Sequence, residues 1–348
     1  MGLFGGKLPE LGIQLERADG VYYAGEVVRA RVTVSAEDGA KFKEVRAGLL
    51  LEEKYQTIER RRDSDGDTTY SRVWRTSEQW AAREQLAAGE LPKGYRQTFD
   101  FEWRLPDEAA PTCQGKIVVA RWLVKATVDR KMARDVNAEA QLYVVAPAPA
   151  HPTPGGQFSQ ENSAPELALM RFELPRIEYV QGETVTGRLH VDARQDLSPR
   201  AVQITLSRHE VVPGGDRVHA ETVVEARHDY DAQLYAFRPA AFNFALAVPA
   251  RWCPVYHSAH ARVEWRVTAA LDLAWKRDVH AWQGVYVYNG AARSGGPEQV
   301  AFAAQPPAAQ SPLAAPVVPR QNICRGCGSR LMPGALFCGN CGAQVAPT

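Results

Sequence analysis

The sequence predicts an all-β chain: two sandwich domains in tandem, followed by a small cysteine-held module at the C-terminus. Three observations predict it. Residues 98–144 and 241–287 align without a gap at an offset of 143, which places Trp122 on Trp265 and Tyr143 on Tyr286. Both copies alternate apolar and polar residues, the mark of strands with one face in a core and one in water. The last 27 residues hold four of the six cysteines in two Cys-x2-Cys pairs.

In the repeat, Phe99, Phe101, Trp103 and Leu105 alternate with Asp100, Glu102 and Arg104, and Phe242, Phe244, Leu246 and Val248 do the same. A Pro-containing loop follows in each copy. The next strand then puts Trp122, Val124, Ala126 and Val128 on one face, as it does Trp265, Val267, Ala269 and Leu271. The repeat extends upstream at a different offset, 157, where Gly25-Glu26 matches Gly182-Glu183. There Val28, Ala30, Val32 and Val34 alternate in register with Val185, Gly187, Leu189 and Val191. A unit of this length used twice is one fold built twice. The drop from 157 to 143 means that the first copy carries 14 extra residues between the two blocks.

This ordered set resembles the arrestin family in the broad sense, which covers arrestins, α-arrestin relatives, the retromer cargo-binding subunit and bacterial sporulation-control proteins. The elements that carry it are the Tyr/Val-x-Gly-Glu turn, the Phe-x-Phe strand ending in Pro, the Pro-containing loop and the Trp-x-Val-x-Ala strand ending in Asp. A closing strand over 135–144 or 278–287 completes the set. Together they cover roughly residues 8–290. The resemblance implies two immunoglobulin-type sandwiches and a non-catalytic adaptor that binds cytoplasmic segments of membrane proteins or sorting partners. The expected domains are an arrestin-like sandwich over 1–146, a linker over 147–165, a second sandwich over 166–289, a tether over 290–321 and a zinc ribbon over 322–348.

In chain order, residues 8–17 predict an edge strand and 42–55 a strong strand. The segment RRRDSDGDTTY then mixes three arginines with three aspartates. A calcium loop is excluded, because Thr68 and Trp74 stand where an EF-hand needs Gly and Glu. A solvated hairpin tip with Asp65-Gly66 in its turn is expected instead. The extra residues fall around 76–91, where Ser77, an Ala-rich run and Gly89 predict a short helix or helical turn. That placement agrees with the short helix that arrestins carry on their first domain. Residues 146–165 and 290–321 are rich in Pro, Ala, Gly or Ser and show no period, so they read as connections. Between them, residues 201–212 and 218–227 flank Pro213-Gly214-Gly215 and predict a hairpin.

The strongest chemical signal is the tail. Cys324-x2-Cys327-Gly and Cys338-x2-Cys341-Gly are two zinc knuckles, with ten residues between Cys327 and Cys338. Four thiolates make the closed tetrahedral site of one structural Zn²⁺, with no position open for catalysis. So short a segment cannot bury a core, and metal binding of on the order of 10 kcal/mol or more must hold it folded. The tail resembles the short zinc ribbons appended to many bacterial proteins.

Other signals exclude more than they assign. The net charge is +1, so no global field favours nucleic acid or anionic lipid. The first residues lack a signal-peptide apolar run, no stretch could span a bilayer, and Gly6 stands where myristoylation needs Ser or Thr, so a cytoplasmic protein is expected. There is no phosphate loop, no Gly-x-Ser-x-Gly and no His-Glu-x-x-His, and no catalytic residue is assigned. Cys113 and Cys253 lie in the Pro-containing loops at non-equivalent positions, and each reads as a small buried apolar residue. Asp129, Asp272, Arg134-Asp135 and Arg277-Asp278 read as structural charges at strand ends. The function expected is a cytoplasmic scaffold for protein partners that reaches membranes through a partner, with direct membrane binding as an alternative. Association with nucleic acid through Arg320, Arg325 and Arg330 of the tail is the other alternative, and a thin one.

Overall fold

The computed structural model describes residues 7–62, 66–130, 134–158, 161–274 and 277–290, and among them all regular structure is β. The first sandwich contains β1 (Glu10–Leu15), β2 (Val21–Tyr23), β3 (Val27–Ala36), β4 (Ala40–Arg62), β5 (Thr68–Leu91), β6 (Tyr95–Arg104), β7 (Cys113–Gln114), β8 (Val118–Asp129) and β9 (Val136–Val145). One sheet has the order β1-β3-β6, and the other has β2-β9-β8-β4-β5 with β7 on β8. Two short strands, β10 (Gln157–Phe158) and β11 (Glu161–Asn162), come next in the chain. The second sandwich follows with β12 (Ala168–Glu173), β13 (Glu178–Val180), β14 (Thr184–Ala193), β15 (Pro199–Val212), β16 (His219–Tyr230), β17 (Ala240–Ala247), β18 (Tyr256–His257), β19 (Arg262–Leu273) and β20 (Val279–Tyr288). Its sheets, β12-β14-β17 and β13-β20-β19-β15-β16 with β18 on β19, repeat the first sandwich strand for strand, with β10 and β11 added at the edges. Both sandwiches lie in one compact unit.

The Gly-Glu signature has a specific job. Gly25 and Gly182 have φ of 78° and 88°, the left-handed region that glycine enters without steric cost. The following glutamate closes the turn: the backbone N–H groups of Glu26 and Glu183 donate to the carbonyls of Tyr23 and Val180 at 3.1 and 3.0 Å. In return the Glu26 and Glu183 carboxylates accept the Tyr23 and Val180 N–H groups at 3.1 and 2.7 Å. This turn moves the chain from one sheet to the other. Consequently β2 and β13 pair in parallel with the closing strands β9 and β20, whereas the other strand pairs described are antiparallel.

Trp122 and Trp265 occupy equivalent places, buried on β8 and β19 opposite Leu51 and Arg208. Each indole N–H donates to a carbonyl of its own Pro-containing loop, Ala110 at 2.8 Å and Cys253 at 3.2 Å. The first core gathers Val28, Val32, Leu49, Trp122 and Leu142, and the second gathers Leu189, Ile204, Leu206, Trp265 and Val267.

The helix expected around residues 76–91 is absent, and that segment is the last two thirds of β5. Strands β4 and β5 run 23 and 24 residues, against 14 and 12 for β15 and β16, so the extra residues lengthen one hairpin. Helix propensity is a weak prior that packing overrides. Here Ala82, Leu86 and Ala87 pack against the first core, while Lys125 reaches Glu78 and the Trp103 indole reaches Glu84. Gly48 makes room for the pairing, since a Cβ there would stand 2.2 Å from the Ala82 carbonyl oxygen. Of the expected hairpin tip, residues 63–65 lie outside the described residues, and Gly66 has the left-handed φ of a turn, 88°. The segment expected as a plain connection, 147–165, is tied to the second sandwich through β10 on β12 and β11 on β20.

Candidate functional site

The two sandwiches meet through equivalent surfaces of the repeated unit. Their seam holds a separate apolar cluster of Cys113, Ile117, Val118 and Ala120 from the first and Val212, Cys253, Tyr256, Ala261 and Val263 from the second. Cys113 is the counterpart of Tyr256, Val118 of Ala261 and Ala120 of Val263, each at the offset of 143. Their strand pairings agree, with Cys113 opposite Ala120 and Tyr256 opposite Val263.

Two buried carboxylates cross this seam in opposite directions. Glu53 on β4 stands opposite Ala120, and Glu210 on β15 stands opposite Val263, so the two acids are equivalent residues. Glu210 is fully buried and accepts the backbone N–H groups of Lys116, Ile117 and Val118 at 2.8, 2.7 and 3.2 Å. Glu53, 5% exposed, accepts the Tyr256 hydroxyl at 3.0 Å, the Ser258 hydroxyl, and His260 Nδ1 at 2.8 Å. Each acid therefore grips the loop before β8 or β19 of the other sandwich. Burial, followed by the Glu53 charge, raises the Tyr256 phenol well above its ordinary range, which keeps it a donor.

Further charges surround Glu210. Buried Arg208 places Nε 3.0 Å from Glu210 and Nη1 3.3 Å from Glu225, so three buried charges lie in a row. Nearer the surface, Lys116 and Arg72 of the first sandwich approach Glu221 of the second at 2.8 and 3.5 Å, and the Lys116 hydrogen bond lowers the Glu221 carboxyl.

The long hairpin adds a second contact. The Ile58 carbonyl accepts the Asp216 N–H at 3.1 Å, the Asp216 carboxylate accepts the Arg60 N–H at 2.6 Å, and Arg217 lies 3.8 Å over the Tyr70 ring. Gly215 permits this approach, because a Cβ there would meet the Ile58 carbonyl oxygen at 2.8 Å. Between the hairpin and the Glu53 clasp lies an open cleft of about 330 Å³, lined by Tyr55, Glu59, Arg75, Gly215 and His260 among others. Glu59 and Arg75 pair with each other there, and His260 stacks on Tyr55 at 4.8 Å. The arrangement can fix the two sandwiches against each other.

Cys113 and Cys253, non-equivalent in the repeat, are brought together across the seam and are buried, as expected of each alone. Asp135 and Asp278 accept the N–H groups of Arg130 and Leu273, both at 3.1 Å, and close equivalent hairpins. Asp129 and Asp272 pair with Arg46 and Arg200. These are structural roles. Among the described residues no three His, Cys, Asp or Glu side chains cluster as a metal site would require. The zinc ligands expected from the sequence, Cys324, Cys327, Cys338 and Cys341, lie outside the described residues. Sequence reasoning missed Glu53 and Glu210, although the upstream offset of 157 relates them and could have found them.

Residues 11–149 match the family model of the arrestin (or S-antigen) N-terminal domain. No curated protein matches the chain. The first sandwich is thus arrestin-like, and the second repeats its topology. Among the described residues no helix is long and apolar enough to cross a membrane.

Proposed function

We propose that this protein is a non-catalytic cytoplasmic adaptor that presents the sheets of two clasped arrestin-like sandwiches to protein partners. The observation that carries the reading is the seam. Two equivalent buried acids, each bonded into the opposite sandwich, hold the sandwiches as one body and leave their outer sheets as working surface. In the first sandwich β1 stands at a sheet edge, and the face beside it forms a shallow concavity of about 380 Å³ lined by Gly12, Gln14, Arg31, Thr33 and Arg96 among others. An edge strand accepts an added strand through its unpaired backbone groups, and the resemblance to arrestins implies extended cytoplasmic segments of membrane proteins as the partner class. The tail supplies a second docking module, with Cys324, Cys327, Cys338 and Cys341 on one structural Zn²⁺.

The test combines fractionation with direct binding. The protein expressed alone is expected in the soluble fraction, moving to membranes only when a partner is co-expressed. Affinity capture with and without residues 322–348 separates what the sandwiches bind from what the tail binds. Tight binding of the purified protein to protein-free liposomes would overturn this reading in favour of direct membrane binding. Binding to nucleic acid that falls steeply with salt would overturn it in favour of the basic tail.

A further inference from the structure

Two thiols from different sandwiches face each other inside the seam. Cys113 Sγ and Cys253 Sγ lie 3.4 Å apart, both side chains are fully buried, and both cysteines are free. Their backbones are held on several sides. Cys113 is paired into β7 against Ala120, and the Cys253 carbonyl accepts the Trp265 indole N–H at 3.2 Å. The two segments also bond directly to each other, Gln114 N–H to the Trp252 carbonyl. Sulfurs at 3.4 Å have to close to about 2.05 Å to bond. The repeat does not explain this meeting, because the counterpart of Cys113 is Tyr256 and that of Cys253 is Ala110. The seam alone makes the pair.

We infer that Cys113 and Cys253 form an oxidisable site whose product is a disulfide joining the two sandwiches, with a peroxide as the oxidant. One thiolate attacks the peroxide, the O–O bond breaks, and the sulfur becomes a sulfenic acid with release of water. The second sulfur then displaces the sulfenic oxygen as a second water, forming the S–S bond. Two thiols lose two electrons and two protons in all, and one peroxide becomes two waters. In the closed seam the hydrogen bond to Cys253 and burial hold the Cys113 thiol well above its ordinary range, so it stays protonated and slow to react. Peroxide therefore acts on this pair only where it reaches the buried thiols, and the bond it forms ties the two sandwiches together. The new bond ties residues 140 positions apart, and a cross-link across so long a loop restricts the unfolded chain strongly. In a compartment that keeps thiols reduced, such a bond is a transient, oxidant-dependent state.

The experiment treats the full-length protein with hydrogen peroxide, quenches it, alkylates the remaining thiols under denaturing conditions and maps peptides without reduction. The expected result is a Cys113 peptide linked to a Cys253 peptide, lost on reduction, together with a higher melting temperature for the oxidised protein. Cys113→Ser and Cys253→Ser should each abolish the linked peptide and the shift, whatever happens at the four tail cysteines. If either variant fails to fold, the wild-type map decides alone. Recovery of Cys113 and Cys253 as alkylated free thiols at excess oxidant would overturn the inference. So would their conversion to sulfinic acids without the linked peptide, or their linkage to tail cysteines instead.

Discussion

Replacing Glu210 by alanine should destabilise the protein by about 4–6 kcal/mol, and the structure supplies the terms of that figure. Glu210 is fully buried and takes three backbone N–H groups from the other sandwich at 2.8, 2.7 and 3.2 Å. Two of those belong to Ile117 and Val118, which are themselves buried, and each amide left without an acceptor costs about 1–2 kcal/mol. Arg208 loses its 3.0 Å partner and keeps only Glu225 at 3.3 Å, so part of a buried charge is uncovered at a cost of about 2 kcal/mol or more. Glu210→Gln keeps one acceptor oxygen but removes the charge, and about half the loss is expected. Urea unfolding of wild type and both variants measures it, with the slope showing whether the sandwiches still unfold together. A loss below about 1 kcal/mol for Glu210→Ala would refute the clasp as a stabilising contact.

Three further predictions concern other parts of the chain. Trp122→Ala and Trp265→Ala should each cost about 3–5 kcal/mol by thermal or urea unfolding, since both indoles are buried in equivalent cores. Metal analysis of the purified protein should find one zinc per chain, and chelation should remove it without changing the β-sheet circular dichroism; less than about half an equivalent would contradict the four-thiolate site. His209 is held down to about 4 by burial and then by Arg266, so it stays neutral when folded while the unfolded imidazole protonates near 6.5. Its contribution is full above about pH 6.5 and is lost as pH falls toward about 4; the shift corresponds to about 3 kcal/mol, which solvent screening of a part-exposed ring reduces to about 2, and His209→Gln should remove that part of the slope in urea titrations across the window.

Period-two patterns made most of the fold legible because sheet faces are written directly into alternation. Phe101, Trp103, Val124 and Val267 sit inside, where that pattern puts them. The helix expected around 76–91 failed for a physical reason: alanine-rich sequence was read by local propensity, whereas β4 offered it a long pairing edge opened by Gly48. The short strands β10 and β11 carry too few residues to show any period. Of the seam, the sequence shows the cysteines singly, but their meeting depends on how two domains dock, which no local pattern encodes. Glu53 and Glu210 were hidden among ordinary strand charges. Only the repeat register, which makes them the same residue in two copies, distinguishes them from Glu52 beside them.

At its two acids the seam has the logic of contact between two copies of one unit, in which one interaction is answered by its counterpart. The loops that the acids grip are equivalent turns, closed by Gly115 N–H to the Val118 carbonyl at 2.8 Å and Ser258 N–H to the Ala261 carbonyl at 2.9 Å. They satisfy their acids differently. Ser258 gives Glu53 a hydroxyl, whereas at Gly115 a Cβ would stand 2.5 Å from Glu210 Oε2, so that loop offers bare backbone amides. Exchanging the two solutions should therefore fail in both directions, although each substitution installs the residue the other copy uses. Ser258→Gly removes one donor from a buried carboxylate and should cost about 1–2 kcal/mol. Gly115→Ser forces a carboxylate that is fixed by three amides to move, and about 1–3 kcal/mol is expected. Urea unfolding of both variants checks the pair. If either exchange proves neutral or stabilising, the two acids do not depend on the shape of the loops they grip, and the clasp is looser than these distances require.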